Sequence, residues 1–153
     1  AYFRSLTDNK GITGYHVPGK EHQNVPCMTS VGVLCRLLAG EKRTSGSIRL
    51  GVEQILKQPP VWKKKNPQSP FYYWYYATQV MHHMGGTSWS DWNRVMRQAV
   101  PEQQIKTGEE RGSWSPGGDQ WGQHGGRLYT TCLSIYMLEV YYRHLPIYNY
   151  GLK

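Results

Sequence analysis

The chain has 153 residues, 39% of them hydrophobic and 18% charged, enough for one domain with a sizeable core and too apolar for a disordered segment. Its formal net charge of +8 permits contact with nucleic acid or anionic lipid but specifies no fold. Three cysteines (Cys27, Cys35, Cys132) without C-x-x-C spacing argue against a disulfide framework and favour a reducing, cytoplasmic setting. No transmembrane segment or signal-peptide pattern is expected. The opening Ala1-Tyr2-Phe3, with no initiator methionine, reads as a piece excised from a longer protein, with 1–153 a single repeat domain.

Residues 7–27 are turn-rich, with Gly11, Gly14 and Pro18-Gly19. A first helix is expected after Pro26, capped by Thr29 or Ser30 and stopped at Gly40. Its apolar residues Val31, Val33, Leu34, Cys35, Leu37 and Leu38 cover most of the circumference. A second, over 45–57, carries one stripe (Ile48, Val52, Ile55, Leu56) and ends at Pro59-Pro60. The basic run Trp62-Lys63-Lys64-Lys65 follows among prolines. It is too short to track a phosphate backbone, so nucleic acid is not the expected partner.

The third helix is expected over Phe71–Met84. It opens Phe-Tyr-Tyr-Trp-Tyr-Tyr and closes at Gly85-Gly86. The fourth starts near Ser88 or Ser90 with Asp91 in its first turn and carries one stripe, Trp89, Trp92, Val95, Met96 and Ala99. Pro101 ends or kinks it. The fifth, over 127–144, is apolar nearly all round (Leu128, Cys132, Leu133, Ile135, Met137, Leu138, Val140) and stops at Pro146.

Helices one, three and five are thus apolar on two sides, and two and four on one. A helix apolar all round must be buried all round, whereas a one-stripe helix lies at the surface. Alternating inner and outer helices predict an all-α, double-layered array, and no β-rich run competes. Leu6 to Tyr15, Leu56 to Trp62 and Gln104 to Trp114 form three copies of a corner. Their aromatic ends recur about every 50 residues, one helical hairpin each.

These corners, with Tyr72-Tyr73-Trp74-Tyr75-Tyr76, Gly112-Ser113-Trp114 and Gly125-Gly126-Arg127-Leu128-Tyr129, resemble the prenyltransferase and squalene-cyclase repeat, the α/α toroid of terpenoid cyclases. The likeness spans residues 6–148 and is nearest to bacterial repeat proteins of unassigned function. It implies a Gln, a Gly and a Trp at the turn after an outer helix, the Gln amide satisfying free groups at the helix end and the indole lying beside it. Gln104, Gly112 (or Gly108) and Trp114 match those positions. The Asp-rich acid motif of the cyclases is absent, as are the zinc pattern of the protein prenyltransferases and the thioester motif of complement-like toroids. No catalytic residue, metal or cofactor is therefore expected. Six hairpins of ~50 residues close a ring, so about three leave either a fragment, an open array or half of a two-copy ring. Open apolar edges predict self-association or a companion domain.

Ligand-cavity candidates are Tyr72, Tyr73, Trp74 and Tyr76 on the third helix, and Asp119, His124, Arg127 and Tyr129 at the corner before the fifth. Rings facing the axis, with Tyr129, Tyr136 and Tyr141-Tyr142 opposite, would suit an isoprenoid or another small hydrophobic ligand through their π faces. Gly117-Gly118 and Gly125-Gly126 would let a ligand approach the backbone. The plain alternative keeps the rings as packing, with Asp119 capping a helix, Arg127 bridging to Asp119 and His124 bonded to backbone. His82 and His83 point about 100° apart on a helix and do not chelate together.

Overall fold

The computed structural model describes residues 2–21, 25–61 and 70–143, and they are all-α. Seven helices follow in order: α1 (Tyr2–Ser5), α2 (Cys27–Leu38), α3 (Gly46–Leu56), α4 (Phe71–Met84), α5 (Gly86–Glu102), α6 (Gly122–Leu138) and α7 (Val140–Arg143). One isolated antiparallel bridge, Thr7 to Thr13, pins the first long loop. The basic run 62–65, His144 and Pro146 lie outside the described residues.

Helix α4 is the centre. It packs on α2 and on α6, with α5 folded back along it, while α3 lies against α2. The row α2, α4, α6 is therefore backed by α3 and α5, whose single stripes face it. Ile48, Val52 and Ile55 of α3 and Trp92, Met96 and Val100 of α5 are buried among Val33, Leu34, Phe71, Tyr73, Trp74, Ala77, Val80 and Met81. Each such side chain contributes roughly 1.5–3 kcal/mol by leaving water.

The polar tips of the core aromatics are satisfied. The Trp92 indole N–H donates to Thr78 Oγ1 at 2.9 Å. The Tyr73 hydroxyl sits 3.1 Å from the carbonyl of Ile55 and 2.9 Å from that of Gln58, where the end of α3 leaves carbonyls without helical donors. A core rich in Tyr and Trp is stable on those terms.

One cap and several boundaries differ from expectation. Helix α2 begins at Cys27, directly after Pro26 as expected, but neither Thr29 nor Ser30 caps it, because the N–H groups of Met28 and Thr29 are taken by Glu21. Helix α5 starts at Gly86, and Pro101 lies inside its last turn without ending it. Helix α6 has an extra N-terminal turn from Gly122, broken at Gly126 (φ 66°, ψ −168°). Only glycine adopts that backbone readily, so regular helix resumes at Arg127. It stops at Leu138, and Val140–Arg143 forms a separate turn.

The larger correction concerns burial. Helix α6 is not enclosed: Thr130, Ser134 and Met137 are its buried stripe, while Leu128, Ile135 and Tyr136 are exposed. Only α4 and α5 flank it among the longer helices, so apolar side chains on the far side have no described neighbour.

Candidate functional site

The N-terminal ends of α2 and α4 are each closed by a carboxylate. Glu21 accepts from the N–H groups of Met28 and Thr29 and from the Thr29 hydroxyl, at 3.1, 2.8 and 2.8 Å. Asp119, 7% exposed, accepts from the N–H of Phe71 on one oxygen and of Trp121 on the other, at 2.9 and 2.7 Å. These bonds satisfy donors a helix start leaves free. Burial pushes the Asp119 carboxyl up, and the N–H groups of Trp121, Phe71 and Gly122 hold it back. Both oxygens are engaged, so the group serves as a cap and not as a proton donor aimed into a cavity.

Beside this cap lie Cys27, Tyr76 and Tyr129. Burial, then the charges of Glu21 and Asp119, push the Cys27 thiol up to about 12, which leaves it an unreactive thiol at neutral pH. Burial likewise raises the phenols of Tyr76 and Tyr129. The Tyr129 hydroxyl is enclosed without a hydrogen-bond partner.

From Tyr72 a ladder of rings runs across α4 to the last helices. Tyr72 meets Tyr76 at 4.8 Å, Tyr76 meets Tyr75 at 5.0 Å, and Tyr75 meets Tyr136 at 6.0 Å between centroids. The Arg143 guanidinium covers the Tyr136 ring at 4.1 Å and is held by Glu139 at 2.7 Å. A second line joins His82 to Trp89 and Trp89 to Tyr141, at 5.0 and 5.4 Å. The edge-to-face geometry belongs to packed aromatics. Tyr73 and Trp74, expected among the cavity residues, instead turn into the core and are fully enclosed.

At the corner, Gln104 Nε2 donates to the carbonyl of Gly112 at 2.9 Å. The Trp114 indole N–H donates to the carbonyl of Val100 near the end of α5, at 2.7 Å. The Trp114 backbone is fixed to α6 by the hydroxyls of Thr131 and Thr130, at 3.2 and 2.8 Å. A similar link recurs at the first corner, where the N–H of Thr13 reaches the Thr29 hydroxyl at 2.9 Å. Tyr15 takes no part in it and is exposed.

Arg127 does not bridge to Asp119. It pairs with Glu110 at 2.5 Å and lies 3.3 Å from the Ser113 hydroxyl, clamping the corner loop. His124 is exposed and tilts against Trp121. A Cβ on Gly125 would stand 2.6 Å from that of Tyr129, so this glycine admits the chain's own side chain. Asp119, Tyr72, Tyr76 and Tyr129 are thus brought together, while Arg127 and His124 lie apart from them.

A second polar group was not anticipated from sequence. Arg36, 6% exposed, forks onto Glu41 at 2.9 and 2.5 Å, and Arg4 and Ser45 reach the same carboxylate at 3.1 and 2.9 Å. The Arg36 guanidinium, first among several partners, holds the Glu41 carboxyl down at about 2. A cleft of ≈ 590 Å³ opens beside it between α1 and the end of α2. An arginine inside an apolar run, five residues before a lone glutamate, is the signal that could have revealed the pair. Among the described residues no cluster of His, Cys, Asp or Glu could hold a metal, the three cysteines are unpaired, and no helix is long and apolar enough to cross a membrane. No family model, curated protein or solved structure matches the chain.

Proposed function

We propose that the chain is a non-catalytic helical repeat module of the terpenoid-cyclase-like α/α type, whose work is to pack an open edge against another protein surface. The observation that carries this reading is α6, which exposes Leu128 to 76% and Ile135 to 45% on the side away from α4. The row α2, α4, α6 backed by α3 and α5 is compatible with hairpins of an incomplete toroid. The chemistry next to that row supports the non-catalytic half: the buried Asp119 carboxylate is consumed as a helix cap, that of Glu41 is paired with Arg36, and the Cys27 thiol is unreactive.

A second reading, a domain that binds an isoprenoid or another small hydrophobic ligand, draws on the ring ladder from Tyr72 to Tyr136 and the unpartnered Tyr129 hydroxyl. Titration with farnesol, followed by tryptophan fluorescence and by mass spectrometry of the purified protein, separates the two. The packing module takes up no farnesol and carries no lipid. Saturable one-to-one binding that Tyr72→Ala and Tyr76→Ala abolish would replace it with the second reading.

A further inference from the structure

The guanidinium of Arg36 is bonded on one edge only. Nε and Nη2 donate to the two oxygens of Glu41 at 2.9 and 2.5 Å, and Nη2 also meets Ser47 Oγ. That fork uses up the Nε–Nη2 edge, so the N–H groups of Nη1 point elsewhere. They meet no acceptor, although the side chain is only 6% exposed. A charged donor left buried and unanswered calls for an acceptor from outside the chain.

Arg36 forms part of the wall of the ≈ 590 Å³ cleft, together with Tyr2, Phe3, Arg4, Cys35 and Glu41. That volume lies within the roughly 300–1,000 Å³ of small-molecule sites. Arg4 Nε and Arg36 Nε reach the same Glu41 oxygen, at 3.1 and 2.9 Å. Two cations thus share one carboxylate, and the wall holds one positive charge in excess. Glu41 is engaged further by the hydroxyls of Ser45 and Ser47. The end of α2 does not oppose an anion either, since the carbonyls of Cys35, Arg36 and Leu37 accept from the N–H groups of Ala39, Glu41 and Gly40. Tyr2 and Phe3, edge to face at 5.6 Å, supply an apolar flank. Nη1 is itself enclosed, so an incoming acceptor has to displace a neighbour. Arg4, 67% exposed and bonded through its side chain to Glu41 alone among the described residues, is the one free to give way. One spare charge beside Glu41 suits a monoanion better than a dianion such as phosphate.

We infer that the cleft between α1 and the end of α2 binds a small organic monocarboxylate, its oxygens on Arg36 Nη1 and Arg4 and its apolar body against Tyr2 and Phe3. This site is independent of the packing reading above. Naphthoate is the probe, and naphthamide supplies the same body without the charge. The readout is alkylation of Cys35 by iodoacetamide, followed by peptide mass spectrometry. Cys35 is half-buried in the cleft wall, whereas Cys132, half-buried on α6 and outside the cleft, is the internal control. Naphthoate should slow Cys35 saturably, with a Kd on the order of 1 mM or tighter, and leave Cys132 unchanged. It should bind about tenfold more tightly than naphthamide. Arg36→Met should abolish the protection but also breaks the pair with Glu41, so the exposed Arg4→Gln carries the test. That variant should keep the wild-type circular dichroism and weaken naphthoate by about tenfold, with naphthamide unaffected. No protection of Cys35 at about 10 mM naphthoate overturns the proposal and leaves Nη1 to water. Equal protection by naphthamide, equal slowing of Cys132, or unchanged naphthoate binding in Arg4→Gln overturns it as well.

Discussion

Replacing Glu41 by Gln should destabilise the protein by about 3 kcal/mol at pH 7, and the deficit should fade in acid. The carboxyl is held at about 2 against an ordinary value of 4.5, and each unit is worth ~1.4 kcal/mol. Its side chain is only 9% exposed and that of Arg36 6%, so solvent screening takes little from that figure, whereas Arg4 at 67% adds little. A folded-state value below the unfolded one gives stability that is complete above the unfolded value and is lost as pH falls through the folded one. The contribution therefore drops from about 3 kcal/mol at neutral pH to about 1 kcal/mol near pH 3. Glu41→Gln also leaves the Arg36 guanidinium buried without its counter-charge, which places the loss within the 3–5 kcal/mol typical of a broken buried pair. Urea unfolding of both proteins at several pH values between 7 and 3 measures the gap. A gap that stays constant across that range would refute the electrostatic account and leave only lost packing.

Trp114→Phe removes the donor to the Val100 carbonyl and part of a buried ring. A loss of roughly 1–3 kcal/mol is expected, against about 3–5 kcal/mol for Trp114→Ala, both read from urea midpoints. Gly126→Ala places a side chain at φ 66°, ψ −168° and should cost roughly 1–3 kcal/mol; a cost near zero would mean that α6 runs straight through this position. Ellman's reagent should leave Cys27 unmodified in the native protein near neutral pH, since burial holds its thiol at about 12, and should label it once urea unfolds the chain.

Much of this architecture is legible in the residues. Pro59-Pro60 and Gly85-Gly86 punctuate the chain strongly, so α3 and α4 end close to where expected, and the stripes Ile48-Val52-Ile55 of α3 and Trp92-Met96-Ala99 of α5 have an unmistakable helical period. At the Gln104–Trp114 corner the donor to a carbonyl near the helix end is the Trp114 indole, which reaches Val100, whereas the Gln104 amide, expected in that role, bonds the loop carbonyl of Gly112 instead.

What periodicity does not carry is which neighbour answers a given side chain. Six aromatics in a row cover every side of a helix, so sequence alone could not separate core Phe71, Tyr73 and Trp74 from ladder Tyr72, Tyr75 and Tyr76. Asp119 caps α4 across 48 positions and Glu21 caps α2 across eight, distances at which local capping rules are silent. Arg127 follows a loop that carries Glu109, Glu110 and Asp119, and it closes on Glu110. In α6 the apolar pattern states a demand for burial, and the described chain answers it on one side only. That unmet demand is where the proposed function originates.

The most direct measurement is therefore the labelling rate of Leu128→Cys, in a background with Cys35 and Cys132 replaced by serine. The account predicts that the dilute native protein reacts nearly as fast as the unfolded chain. A thiol already protected at the lowest concentration would mean that the chain covers this face itself, which would contradict an open edge built for packing.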